Sequence, residues 1–84
     1  MKIKDFLNRD NWIRGNLAEA KNFRKVKPKD PEAIGWSVYG AILKNYNNIG
    51  PPVTKLLSRV HDIVKWNDNS DYETVRDILE ELDI

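Results

Sequence analysis

Val53, Leu56, Leu57, Val60, Ile63 and Val64 recur at the i, i+3, i+4, i+7 spacing of an amphipathic helix, with Lys55, Arg59, Asp62 and Lys65 on the opposite side. This spacing predicts a helix over about residues 52–66, stopped by Asn67-Asp68-Asn69. Tyr72, Val75, Ile78, Leu79 and Leu82 make a second stripe, with Asp77, Glu80 and Glu81 facing outward. Ser70-Asp71-Tyr72-Glu73 in front of it reads as a capping box, in which Ser70 and Glu73 would satisfy each other's free backbone N–H groups. It predicts a helix over about residues 71–82. A third helix is expected over about residues 31–46. There Asp30 would be the N-cap, Pro31 would take the first helical position and Glu32 would complement the helix dipole. Its apolar residues, Ile34, Trp36, Val38, Tyr39, Ala41, Ile42 and Leu43, spread around the whole helix, which is the pattern of a central element. Two glycines inside a helix cost about 1 kcal/mol each against alanine, so Gly35 and Gly40 call for a closely packed neighbour as compensation.

Residues 1–29 are less regular. Ile3, Phe6 and Leu7 fit a short helix over Lys2–Arg9, and Trp12, Ile13 and Leu17 supply further apolar anchors. A second short helix could extend into Ala18-Glu19-Ala20, and Lys21 to Lys29 reads as a loop or a short extended piece. The fold class expected is therefore all-α. It is a small single-domain bundle over residues 1–84, with three main helices, a short N-terminal helix and a basic loop. Residues 1–29 form the basic segment and residues 30–84 the helical core.

Composition adds limits. The chain has 84 residues, 40% hydrophobic and 32% charged, which suits one globular domain and is too apolar for a disordered one. No apolar run approaches the roughly 20 residues needed to cross a bilayer, and no signal-peptide stretch opens the chain. The absence of cysteine excludes disulfides and thiolate metal sites. A cytoplasmic protein without a membrane partner is expected. A domain this short buries roughly 60–65% of its unfolded surface. Either its helices pack well or a homo-oligomer completes the core.

The formal net charge of +1 hides a strong asymmetry: nine basic against three acidic side chains in residues 1–29, and one against seven in residues 66–84. Within the first segment, Lys21, Arg24, Lys25, Lys27 and Lys29 surround Phe23. Clustered cations with an interleaved aromatic suit either an acidic partner surface or phosphates with a stacked base. These six residues are the candidate binding site. A protein partner is favoured, because a near-neutral total is unlike a dedicated nucleic-acid binder. A nucleic-acid-binding module using residues 21–29 is the alternative. A bland reading also stands, in which the segment is a solvated loop or meets the acidic C-terminal helix.

No catalytic, cofactor or metal site is expected. His61 is the only histidine and lacks an obvious oriented partner, and no nucleophile–base order, phosphate loop or metal-ligand spacing is present. Trp66-Asn67-Asp68 could offer an aromatic platform beside two polar groups, but a packed Trp66 with Asn67 and Asp68 capping or bridging helix ends fits better. Trp36, Tyr39 and Gly40 could line a pocket, although aromatic residues on a central helix are more often core.

Trp36-Ser37-Val38-Tyr39-Gly40-Ala41-Ile42, Trp66-Asn67-Asp68 and the helix opening at Tyr72-Glu73-Thr74-Val75 resemble a domain-of-unknown-function family of small bacterial and bacteriophage proteins. That family shows an early Trp and Gly, a Pro-Asp linker, a Trp-Cys-x-x-Gly-Ala-Leu helix and a Trp-Asn-Asp turn. Trp12, Gly15 and Leu17 stand where the early motif would be, and Asp30-Pro31 stands in the linker. Ser37 replaces the usual Cys, and the N-terminal helix is shorter. The likeness runs over residues 10–82 and makes Trp12, Trp36, Gly40, Trp66, Asn67 and Asp68 the motif positions. It implies a small all-helical protein, often phage-associated, and no particular activity. The reading is a non-enzymatic accessory protein, plausibly phage-encoded, that binds a host or viral macromolecule through charged surfaces.

Overall fold

The computed structural model describes all 84 residues. Five helices and a three-stranded antiparallel sheet make up the chain, one helix before the three strands and four after them: α1 (Ile3–Phe6), β1 (Ala18–Glu19), β2 (Lys25–Val26), β3 (Gly35–Trp36), α2 (Val38–Asn45), α3 (Gly50–Leu57), α4 (Ile63–Asn69) and α5 (Tyr72–Leu82). The protein is a mixed α/β domain, which corrects the all-α expectation.

The sheet accounts for the largest correction, because residues 31–37 are not helical. Asp30 and Pro31 make a turn: the Asp30 Oδ1 accepts from the Glu32 N–H at 2.8 Å, and the Ala33 N–H donates to the Asp30 carbonyl at 3.0 Å. The residue types that open a helix also close such a turn. Gly35-Trp36 then pairs with β1, in the register Ala18↔Trp36 and Glu19↔Gly35. The Trp36 N–H donates to the Asn11 carbonyl at 2.8 Å, and the Ile13 N–H donates to the Trp36 carbonyl at 3.1 Å. Both backbone groups of Trp36 are thus satisfied by one distant segment, residues 11–13, a gain no local helix signal contains. The helix starts later, with Ser37 as N-cap accepting from the Gly40 N–H at 3.1 Å.

The expected helix over 52–66 is two helices. Helix α3 begins earlier, at Gly50, with Pro51 and Pro52 in its first turn, where a missing N–H is no loss. It ends at Ser58, whose hydroxyl donates to the Lys55 carbonyl at 2.6 Å. Asp62 then caps α4 by accepting from the Lys65 N–H at 3.0 Å. The apolar spacing runs through the break because Leu56, Val60 and Ile63 all face the same core. At α5 the cap is Asp71, which accepts from the Thr74 N–H at 2.9 Å. Ser70 is spent on α4, donating its hydroxyl to the Trp66 carbonyl at 2.6 Å, so the Ser70–Glu73 box does not form.

One hydrophobic cluster joins all parts, from Ile3 and Leu7 through Ala18, Trp36, Val38, Ala41 and Ile42 to Leu56, Ile63, Val75, Leu79 and Ile84. Helix α2 packs against α1, α4 and β3. Gly40 is buried against the main chain, and a Cβ there would lie 1.8 Å from the Leu17 carbonyl oxygen. The close neighbour that Gly40 called for is therefore the backbone of residue 17. No helix is long and apolar enough to cross a membrane.

Candidate partner-binding hairpin

The two groups of residues singled out from the sequence occupy two different places. Of the motif residues, Trp12, Asn67 and Asp68 meet in an internal clasp, while Trp36, Gly40 and Trp66 pack elsewhere. Asn67 on α4 is fully buried. Its Oδ1 accepts from the Trp12 Nε1 at 2.7 Å and from the Val38 N–H at 2.9 Å. Its Nδ2 donates to the Ile13 carbonyl and to the Asp68 Oδ1, both at 3.1 Å. Asp68 Oδ1 also accepts from the Gly15 N–H at 2.9 Å, and Gly15 holds a left-handed φ of 91°. Arg14 lies over the Trp12 ring and donates to the Ser70 carbonyl. Trp36 packs edge-on against Phe6 with ring centroids 4.8 Å apart, and its Nε1 donates to the Pro28 carbonyl at 2.9 Å. Trp66 packs against the core. Every hydrogen-bonding position of the Asn67 amide is used, so the clasp ties residues 12–15, α2 and α4 together and the amide itself has no group left for a ligand.

The basic residues lie on the β1–β2 hairpin and the turn that follows it. Ala18 pairs with Val26 and Glu19 with Lys25, and the Ala20 N–H closes the loop by donating to the Arg24 carbonyl at 2.8 Å. The loop residues are Lys21, Asn22 and Phe23, so the basic loop of the sequence reading is a β-hairpin with the edge strand of the sheet. Asn22 and Phe23 both have left-handed backbones, with φ of 63° and 61°. Asparagine tolerates that region; for a bulky residue it is an outlier that costs roughly 1–3 kcal/mol. The Phe23 side chain is 86% exposed, so no core contact repays that strain.

Lys21, Arg24, Lys25, Lys27 and Lys29 are all exposed. Arg24 pairs with Glu32 at 2.6 Å, and the four lysines form no ion pair. None of the five forms an ion pair with α5. The acidic end of the chain is answered elsewhere: Asp83 by Lys2 at 2.8 Å and Lys4 at 2.6 Å, Glu73 by Arg9, and Glu81 by Arg59. The two lysines hold the Asp83 carboxyl down at about 2, chiefly through their hydrogen bonds to it, Lys2 first. Asp77 pairs with its neighbour Arg76, so the acidic end is partly ion-paired while the four hairpin lysines are left open.

A cleft of about 350 Å³ lies against the hairpin tip, lined by Ile13, Glu19, Lys21, Phe23 and Ile34 among others. Ile34 is 63% exposed. The sequence pattern assigned Ile34 to a helix, and only the turn before β3 brings it beside Phe23. His61 is exposed between α3 and α4, beside Asp62 on an open surface. No group of three or more His, Asp or Glu side chains is arranged to hold a metal ion.

Comparison with protein-family models, curated proteins and solved structures gives no match for this chain.

Proposed function

We propose that this protein is a non-enzymatic interaction module that binds an acidic macromolecular partner through the β1–β2 hairpin. The observation that carries the reading is the set Lys21, Lys25, Lys27 and Lys29, exposed and without ion pairs, around an 86% exposed Phe23 on a strained backbone. Open like charges repel one another and weaken the fold slightly, and a partner of opposite sign relieves that repulsion. The likeness to small phage-associated proteins directs the search to host or viral macromolecules in the cytoplasm. An acidic protein surface is the favoured partner. The second reading is single-stranded nucleic acid, which the exposed aromatic among cations would suit by base stacking.

The test replaces Lys21, Arg24, Lys25, Lys27 and Lys29 by Ser, taking the formal net charge from +1 to 1 − 5 = −4. Binding of an Asp/Glu-rich peptide and of a single-stranded oligonucleotide is followed by fluorescence anisotropy across a salt series. The peptide is expected to bind the unmodified protein, and the variant should lose affinity and show a flatter salt dependence. For the oligonucleotide reading, each lost phosphate contact would lower the slope of log K against log salt by about 0.7–0.9. Neither probe binding, or equal binding by the variant, would refute the proposal.

A further inference from the structure

The cleft at the hairpin tip says more about the partner than the charges do. Two large apolar side chains, Phe23 and Ile34, stand exposed on its borders, while Ile13 and Ala20 lie within it. Paired exposed apolar residues around a concavity, ringed by charge, are the arrangement of an anchor pocket with a polar rim. Asp10 and Glu19 also line it, and their carboxylates accept from a ligand's backbone N–H groups. Glu19 is already held by the Asn16 Nδ2 at 2.7 Å, which fixes one of these acceptors in place. Lys21 lines the same cleft, Lys25 lies opposite Glu19 across the hairpin, and Lys27 follows along the edge strand. A ligand seated in the cleft therefore meets apolar walls, the Asp10 and Glu19 carboxylates and Lys21, and one that continues along the hairpin past β2 reaches Lys25 and Lys27.

We infer that the cleft between Phe23 and Ile34 takes a single apolar side chain of an acidic peptide segment, whose flanking carboxylates meet Lys21, Lys25 and Lys27. The inference rests on the proposed function and names the kind of partner that surface fits. The anchor supplies the salt-independent part of the affinity and the carboxylates the salt-dependent part.

The experiment uses the full chain and three probes: an acidic peptide with one central leucine, the same peptide with serine in its place, and a single-stranded oligonucleotide of equal charge. The leucine peptide should bind about tenfold more tightly than the serine peptide. Phe23→Ala and Ile34→Ser should each remove most of that difference and leave the salt slope unchanged. Both side chains are largely exposed, so both variants should fold, and far-ultraviolet circular dichroism checks that they do. Phe23→Trp, which keeps an apolar wall, should retain the leucine preference. Equal binding of the two peptides overturns the anchor while leaving the basic-surface reading intact. Tighter binding of the oligonucleotide, lost in Phe23→Ala, overturns the anchor in favour of base stacking. Loss of all binding in the five-fold Ser variant with the leucine preference present in the unmodified protein supports both readings.

Discussion

Single residues decide most of what is specific here. Asn67 is an amide without solvent contact whose acceptor serves two donors and whose donor serves two acceptors. Asn67→Ala strands the Trp12 indole N–H and the Val38 amide in a low-dielectric interior. We expect a loss of roughly 2–4 kcal/mol, read as a lower midpoint in urea. Gly40 is equally constrained, and Gly40→Val should cost at least roughly 1–3 kcal/mol, because backbone rather than a yielding side chain lies against it. Phe23 is the opposite case. Phe23→Gly relieves a left-handed backbone and removes no packing, so stability should rise by roughly 1 kcal/mol while binding at the hairpin falls. A rise in thermal midpoint with a loss of affinity would show that the residue is kept for recognition.

At the scale of elements, the caps are the testable units. Asp71→Ala should destabilise the protein by about 1 kcal/mol, since its carboxylate accepts from Thr74 and opens α5. Hydrogen bonds from the Thr74 side chain and then its backbone also hold the Asp71 carboxyl below the usual carboxylate range. Equal losses from Asp71→Ala and Ser70→Ala would contradict this assignment, because Ser70 bonds back into α4. Local chemistry made α5 legible, with its acidic first turn and single apolar stripe. It misjudged residues 31–37, because Asp-Pro serves a turn as well as a helix start and the bonds that decide for β3 come from Asn11, Ile13 and Glu19.

Across the whole molecule, the ion pairs between distant segments gather near the acidic end and leave the four hairpin lysines unpaired. The Lys2 and Lys4 contacts to Asp83 join α1 to the end of α5, where the Ile84 carbonyl also accepts from the Ile3 N–H at 2.6 Å. Asp83 titrates at about 2, below an ordinary carboxylate. A depressed folded-state value means the contribution is complete above the unfolded value and is lost as pH falls through about 2. Chemical denaturation between about pH 5 and pH 2 should therefore show a steeper acid loss in the unmodified protein than in Asp83→Asn. Lys4 is raised by the hydrogen bond to the same carboxylate, so its share persists through neutral pH and is lost only as pH rises through its elevated value.

The amino-acid order alone settles what depends on near neighbours: which residues are apolar, where α5 runs, and where the cations gather. Those are properties of spacing and composition within a turn or two of chain. It does not settle which backbone groups find partners far away. Trp36 joins a strand because residues 11–13 and 18–19 reach it, and Asn67 becomes a clasp because Trp12 and Ile13 stand 55 and 54 residues off. Phe23 and Ile34 share a cleft because a turn and a hairpin bring them together. Each of these is a long-range contact whose energy exists only once the chain has folded, so no local pattern records it.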